Sequence, residues 1–427
     1  MEFRTHTSLD EIPATQWDAL HDGSNPFVAH AFLHGLERAG CLRPHWGWAP
    51  LHAALWEGNE LIAAAPGYIK GNSHGEFVFD HAWAAAIERA GRDYYPKWLF
   101  AIPYTPVTGP RWLAKDRADR TLLAELIAES ARRLKLSSVH ANFLADEDNE
   151  ATPASWLERS DMQFHWRNDA GWRCFDDYLG AMLSKKRKNI RHERRQAREA
   201  GIAFRIVHGD EASAQEVADM HALYLRAFAD KGNSPALTLE FFEHLATAMP
   251  RQLVIVLAQR CVSERSGSSV VRQAHHERDP RQAHHEREVR QAHHERDPRQ
   301  AHKERHAGVP EGSMTIAGAL FLRGGDTLYG RYWGCFEEVP GLHFETCYYQ
   351  GIEYCLREGL RVFEPGAQGE HKIARGFLPV TMHSRHHFTE PGLDQAFARW
   401  CDEERAANER YRLAVLAHSP YRDVAAR

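Results

Sequence analysis

The stretch from Phe344 to Val380 constrains the fold most, because it predicts a helix, a sharp stop and a strand in immediate succession. Apolar residues recur at three- and four-residue spacing from 344 to 360, which gives a helix one apolar face. Gly359 stands where that helix should end. Arg361, Val362 and Phe363 then begin a strand. This succession is typical of an α/β fold.

A polar loop follows the predicted strand. It places Glu364, Gln368, Glu370, His371 and Lys372 within nine positions, with glycines between them. Ligands of α/β sheets usually bind beyond the carboxyl ends of strands. The loop is therefore the first candidate for a functional site. The alternative interpretation is a solvated polar loop.

Length and composition limit the class of protein. A chain of 427 residues predicts two domains, and 43% hydrophobic residues suffice for two cores. The net charge of −5 argues against a general nucleic-acid binder. No apolar run approaches the roughly 20 residues of a membrane span, and the first residues lack a signal-like apolar region. The seven cysteines lack metal-ligand spacing, so we expect reduced thiols, no metal site and a cytoplasmic protein.

One segment differs from the rest of the chain. The motif RQAHHER begins at Arg272, Arg281 and Arg290, and RQAHKER begins at Arg299, with a period of nine residues. The copies are almost entirely polar and offer no apolar face for stacking. We therefore interpret 264–312 as a disordered low-complexity insert.

The residues around the insert predict a hairpin. Apolar runs at 253–258, 314–322 and 327–333 read as three antiparallel strands, with the insert at the first hairpin tip. A loop tip tolerates a long insertion at little cost in stability. Without the insert, this half reads as three strands, a helix and a strand.

The first half has a similar order. A hairpin at 52–69 turns at Glu57-Gly58-Asn59, helices are predicted at about 80–91 and 120–134, and a strand at 139–144. A hairpin, a helix and a strand thus follow one another in each half. We place the domains at 1–170 and 171–427.

Between these elements lies the segment 94–111, which contains Lys97 and Tyr104. Prolines at 96, 103, 106 and 110 argue against a regular helix or a central strand. Its tyrosines, threonines and basic residues suit the wall of a binding pocket. The alternative is irregular packing between the domains.

A basic run occupies 183–200 and predicts a helix that stops at Gly201. It carries eight lysines and arginines against Glu193 and Glu199. Such a helix suits an anion, whether RNA phosphate, nucleotide phosphate or anionic lipid. The alternative is a solvated helix face. No aromatic residue is interleaved, so base stacking is not supported.

Several of these motifs carry a family resemblance. The run KKRKNIRHERRQAREAGI (185–202) resembles the basic helix of Fem-type enzymes, and FEPGAQGEHKIARGF (363–377) resembles their closing unit. The segments 73–97 and 104–111 resemble a FemAB-like bacterial family of predicted N-acyltransferases. The resemblance covers most of the chain outside 264–312.

The resemblance implies an α/β fold of two tandem GNAT-like acyltransferase domains, each with a mixed sheet flanked by helices. It implies transfer of an acyl or aminoacyl group to the amine of a small molecule or peptide, as in modification of a peptidoglycan precursor. Acyl-coenzyme A or aminoacyl-tRNA would serve as co-substrate, with no tightly bound cofactor and with tRNA or another anionic partner at the basic helix. The alternative is a catalytically silent protein of this fold that docks an anionic partner through 185–198.

By the same resemblance, Glu364, Glu370 or His371 would deprotonate the amine. Lys372 or Arg375 would hold phosphate or developing negative charge. The other expected substrate- and donor-binding residues are Tyr332 and Tyr104, which would orient the donor, with Lys97, Arg187, Asn189, Arg191 and Gln368.

Overall fold

The computed structural model describes residues 1–261, 313–366 and 369–422. The predicted insert at 264–312 and Gln368 lie outside the described residues. The helices are α1 (Ala14–Asp18), α2 (His30–Arg38), α3 (His81–Arg89), α4 (Arg117–Arg133), α5 (Asp146–Ala151), α6 (Phe175–Ala181), α7 (Ser184–Glu199), α8 (Ala214–Ala229), α9 (Leu239–Ala248), α10 (Leu342–Phe344), α11 (Gln350–Glu358) and α12 (Leu393–Leu416). The strands are β1 (Glu2–His6), β2 (Ala49–Pro50), β3 (His52–Glu57), β4 (Glu60–Ala65), β5 (Gly67–Lys70), β6 (Lys97–Phe100), β7 (Leu113–Ala114), β8 (Ser138–Leu144), β9 (Leu157–Arg167), β10 (Ile202–His208), β11 (Leu253–Cys261), β12 (Ser313–Gly324), β13 (Thr327–Cys335), β14 (Val362–Glu364) and β15 (Leu378–Phe388).

The strands form two sheets. One has the order β1-β3-β4-β7, and the other the order β10-β11-β12-β13-β14-β9-β15-β8-β6-β5-β2. The pairs β13–β14 and β6–β8 are parallel, whereas their neighbours in the large sheet pair antiparallel. The predicted α/β fold with a mixed sheet is confirmed.

The strands predicted around the insert are confirmed. β11, β12 and β13 pair antiparallel in succession, and the first pairing runs from Leu253 opposite Leu322 to Cys261 opposite Ser313. The chain between these last two residues holds the insert, as expected for a hairpin tip. Apolar residues on both faces of β11 are buried, which explains the continuous apolar run.

The expectation for 94–111 was wrong in part. Residues Lys97–Phe100 form β6, a fully buried strand between β5 and β8. Pro96 and Pro103 flank this strand instead of interrupting it, so every ladder position keeps its backbone N–H. The remainder, from Pro103 to Arg111, is irregular as predicted.

β9 and β15 connect the two halves and were not predicted. β9 pairs with β15 over nine residue pairs, from His165 opposite Leu378 to Leu157 opposite His386. β9 also reaches β14, where Trp166 lies opposite Phe363. β15, from the last quarter of the chain, continues onto β8 of the first half. The domain limits 1–170 and 171–427 stay a prediction.

The helix predicted after β13 contains an irregular turn. α10 leads into a π-helical turn at Glu345–Tyr349, and α11 follows. The wider turn accommodates the buried side chains of Glu345 and Thr346, and such turns often occur at functional sites. α11 ends at Gly359, whose φ of +70° is the left-handed conformation of a helix cap, as predicted.

The basic helix is confirmed as α7, and its inner face carries an ion-pair network. Ile190, Arg194 and Ala197 are its buried residues. The guanidinium of Arg194 binds Glu345 of the π-helical turn at 2.9 Å and Glu353 of α11 at 2.9 Å. The network fixes α7 against the helical segment that precedes β14. In the described ranges, no helix has the length and apolar character that crossing a bilayer requires.

We predict that Arg194→Met lowers the free energy of unfolding by about 3 kcal/mol, because the carboxylate of Glu345 stays buried without its cation. Urea unfolding monitored by circular dichroism measures the change. Arg191→Met is the matched control on the same helix, and its exposed pair with Asp176 predicts a loss below about 1 kcal/mol. Equal losses in both variants would contradict the assignment.

Candidate active site

A gap opens between β13 and β14. Their parallel pairing covers three residue pairs and ends where Tyr329 lies opposite Glu364, although β13 continues to Cys335. A β-bulge lies at the same place, because Gly330 and Tyr332 pair with consecutive residues of β12 and Arg331 has no partner there. Bulges re-aim side chains and are common beside active sites. The parting of the strands therefore marks the candidate site.

A buried ion pair spans the opening of this gap. The guanidinium of Arg331 binds the carboxylate of Glu364 at 2.7 Å, and the two side chains are 4% and 3% exposed. Arg331 also donates to the carbonyl of Gly330 at 2.7 Å, and its guanidinium lies over the ring of Phe27. Its Nε–H is buried and has no acceptor in the described part of the chain. This N–H is a donor available to a bound group.

Lys372 lies beside the same gap. Its ammonium donates to the carbonyl of Gly366 at 2.7 Å, and the residue is buried. A Cβ on Gly366 would lie 3.3 Å from the carbonyl oxygen of Gly330, so this backbone stands directly beside the bulge. Burial lowers the pKa of Lys372 to about 8, although the charge of Glu364 opposes the shift.

His371 lies at the surface of the same turn, a short 3₁₀ helix at Glu370–Arg375. Its side chain is exposed, and its Nε2 lies 2.9 Å from the hydroxyl of Tyr348. Partial burial and the charges of Arg375 and Lys372 lower the pKa of His371. The imidazole is therefore neutral at neutral pH and can accept a proton.

Arg375 ties this turn to α7. One end of its guanidinium donates to the carbonyl of His371 at 2.7 Å, and the other binds Glu193 at 2.6 Å. Glu193 also accepts the hydroxyl of Tyr349. The predicted loop and the predicted basic helix thus meet, but through an acidic residue of that helix. Sequence reasoning missed Glu193, which stands out as one of two acids in the basic run.

β9 contributes a polar pair that sequence reasoning also missed. His165 is buried, and burial lowers its pKa to about 4. The negative charge of Glu364 opposes this shift, and the positive charge of Arg331 adds to it. Its Nε2 lies 3.3 Å from the amide oxygen of Gln163, whose amide nitrogen donates to the carbonyl of Pro106 at 2.7 Å. The pair links the charged gap to the irregular segment of the first half. The alternating pattern Gln-Phe-His-Trp was the available signal.

Tyr332 and Tyr104 are neighbours, as their predicted common role in orienting the donor requires. The hydroxyl of Tyr332 lies 3.4 Å from the carbonyl of Tyr104. The hydroxyl of Tyr104 donates to the carbonyl of Cys41 at 3.0 Å, which fixes its ring. Tyr332 is the second residue after Gly330, so both tyrosines flank the bulge.

Other predicted residues lie elsewhere. Lys97 is fully buried in a second cluster, where it donates to Ser73 at 2.9 Å and binds Glu76 at 2.8 Å and Asp80. Glu370 is exposed and accepts the hydroxyl of Tyr411 on α12. The structure does not bring Lys97 to the turn around His371.

The residues of the basic helix that were predicted to bind the substrate or donor lie away from its buried inner face. Asn189 and Arg191 are exposed, Arg187 is half-buried, and Arg191 pairs with Asp176 at 3.4 Å. Their predicted roles in binding a donor stay predictions.

Residues 8–276 and 305–423 match the model of the FemAB-like family, which is described as peptidoglycan biosynthesis/recognition. The chain belongs to the FemAB-like family. The resemblance found in the sequence is confirmed, and it covers almost the whole chain on both sides of the insert. No curated protein matches this FemAB-like chain in sequence.

Solved structures similar to this FemAB-like chain have low sequence identity. FemX is 11% identical, with a TM-score of 0.47 over 93% of this chain and 100% of that one. A tandem GNAT protein from the clavulanic acid biosynthesis pathway is 12% identical, with a TM-score of 0.41 over 92% and 99%. The C-terminal domain of a putative lysylphosphatidylglycerol synthetase from Agrobacterium fabrum is 10% identical, with a TM-score of 0.48 over 91% and 95%.

The buried state of His165 predicts a pH effect on stability. Its pKa is about 4 in the folded protein, whereas the ordinary value is about 6.5. Between these two pH values the unfolded chain binds a proton at His165 and the folded chain does not. The contribution of His165 to folding stability is therefore present at neutral pH and decreases as the pH falls from about 6.5 towards about 4. The stability difference between the FemAB-like protein and its His165→Gln variant should shrink by about 1 kcal/mol from about pH 7.5 to about pH 5.5. Urea unfolding at both pH values measures it, and a constant difference would contradict the assignment.

Proposed function

We propose that this FemAB-like protein transfers an acyl or aminoacyl group to an amine at the gap between β13 and β14. The observation that carries the proposal is His371. It is exposed, it is neutral at neutral pH, and it directly precedes Lys372, whose ammonium lies beside the β13 bulge. An accessible base in the same turn as a buried ammonium suits acyl transfer to an amine.

The geometry supports His371 as the base over the two carboxylates. Glu364 is buried and bound to Arg331, so it has no access to an acceptor. Glu370 is exposed and engaged with Tyr411 on the outer side of the turn. In the tautomer we propose, Nε2–H of His371 donates to Tyr348 and leaves Nδ1 free. A Cβ on Gly369 would lie 2.9 Å from Nδ1, so only glycine leaves room for the ring in this position.

In the proposed reaction, Nδ1 of His371 removes a proton from the amine, and the amine nitrogen attacks the donor carbonyl. The new carbon–nitrogen bond forms as the carbonyl π electrons move to oxygen. Arg331 Nε–H and the Lys372 ammonium favour that negative charge. When the intermediate collapses, the bond from carbon to the sulfur of coenzyme A or to the ribose oxygen of tRNA breaks, and the proton on His371 passes to that leaving atom to give a thiol or a hydroxyl.

The donor is acyl-coenzyme A or aminoacyl-tRNA, and the acceptor is the amine of a small molecule or peptide. The family description favours a peptidoglycan precursor as acceptor. Six cysteines of the described residues are free thiols, which suits the cytoplasm as the place of the reaction. A silent binding protein of the same fold is the alternative, and loss of every transfer activity would favour it.

Binding of a donor should stabilise the protein. At 100 times its dissociation constant, acetyl- or longer acyl-coenzyme A should raise the free energy of unfolding by about 2.7 kcal/mol. A thermal-shift titration measures this, and adenosine 3′,5′-bisphosphate is the control for binding through the nucleotide alone. A shift with aminoacyl-tRNA and none with acyl-coenzyme A would assign the other donor. No shift with either would contradict the proposal.

Removal of the base should reduce the chemical step. We predict that His371→Ala lowers kcat/KM by about 10²–10⁴-fold, because the amine loses its proton acceptor, and that added imidazole restores part of the rate. Wild-type activity should fall as the pH drops through the pKa of His371, which lies below the ordinary histidine value of about 6.5.

The control for this variant is His81→Ala, which removes an exposed imidazole at the start of α3. It should leave kcat/KM unchanged. Full activity of His371→Ala, with normal unfolding, would remove His371 from the proposed mechanism.

A further inference from the structure

The outer face of α7 is a basic surface that the proposed reaction does not use. Five of its cations are exposed. Helical spacing brings them onto one broad stripe, opposite the buried face formed by Ile190, Arg194 and Ala197. The exposed cations of this basic stripe are Lys185, Lys188, Arg191, Arg195 and Arg198.

The basic stripe includes one exposed acid, Glu199, one turn after Arg195, but little else neutralises it. Arg191 pairs with Asp176 at 3.4 Å, whereas the side chains of the other four cations make no ion pair with any described residue. Several exposed arginines on other helices pair one turn away, as Arg133 does with Glu129 and Arg226 with Asp230. A row of unpaired like charges is electrostatically unfavourable by itself, and an anionic partner would relieve it.

The rest of the molecule is acidic. The chain carries a net charge of −5 although α7 is strongly basic. An anionic surface would repel most of the protein and attract only the basic stripe. Such a charge distribution selects one orientation on the partner.

We propose that the basic stripe of α7 docks on a membrane surface that contains anionic lipid. A straight helix of 16 residues presents a row about 24 Å long, which fits a flat sheet of headgroups. Leu183, directly before the helix, is 44% exposed and offers an apolar contact at the interface. The stripe has no aromatic side chain for stacking on bases, which favours lipid over RNA.

Docking through the basic stripe would hold the turn around His371 close to the membrane. Glu193 and Arg194 leave the same helix on its inner side and bind Arg375 and Glu345. The turn therefore lies within about one helix diameter, roughly 10 Å, of the docking surface. Docking itself does not depend on the proposed transfer reaction.

The test is co-sedimentation of the full chain with vesicles at low salt. We expect binding to vesicles of phosphatidylglycerol and phosphatidylcholine, little binding to phosphatidylcholine alone, and release by added salt. The triple variant Lys185→Gln/Lys188→Gln/Arg195→Gln should bind about 100-fold more weakly, since each cation near an anionic surface contributes about 1 kcal/mol.

The matched control is Arg133→Gln/Arg226→Gln/Arg399→Gln, which removes the same charge from exposed residues that are paired one turn away. It should bind vesicles within about two-fold of wild type, because these cations lie outside the stripe. Equal binding of both triple variants, or no preference of wild type for anionic vesicles, would overturn the proposal. Binding of the stripe to RNA with none to vesicles would also overturn it and assign a nucleic-acid partner. Vesicle binding requires no turnover, so its failure is distinguishable from failure of the proposed function.

Discussion

The buried ion pair between Arg331 and Glu364 is the interaction on which the candidate site depends. Each charge would be costly to bury alone, so the pair fixes the end of β14 against the bulge of β13. The strands part directly beyond it, and the ammonium of Lys372 binds the carbonyl of Gly366, whose backbone lies beside the bulge. The fold thus holds two cations and one carboxylate in a buried region, where electrostatic effects on a reacting carbonyl are strong.

Three distant parts of the sequence support this arrangement. β9 brings His165 and Gln163 to the gap and connects it to the irregular segment of the first half. α7 supplies Glu193, which orients Arg375 and, through it, the backbone of His371. The π-helical turn supplies Tyr348. Because each contact comes from a different element, the site forms only in the complete fold.

The sequence predicted the elements with a strong local signal. The apolar runs of β11 to β13, the stop at Gly359 and the basic helix were recognisable because burial, a left-handed cap and charge density each leave a local pattern. β6 was not predicted because the flanking prolines argued against a central strand. β9 and β15 were not predicted because their buried faces carry histidine and other polar residues. The loop around His371 was found, but the partners Glu193, Tyr348 and Arg331 were not, since tertiary packing alone decides which distant side chains face it. Lys97 looked like a pocket residue and instead lies buried in its own ion-pair cluster.

In the proposed mechanism, a donor carbonyl binds between β13 and β14, beside His371. A crystal structure of the protein with a non-transferable acyl-donor analogue tests it most directly. We expect the analogue's carbonyl oxygen within hydrogen-bond reach, about 3 Å, of Arg331 Nε or Lys372 Nζ, with His371 facing the carbonyl carbon. An analogue bound elsewhere, for example in the groove of about 160 Å³ lined by Ser160, His383 and Arg405, would contradict the account.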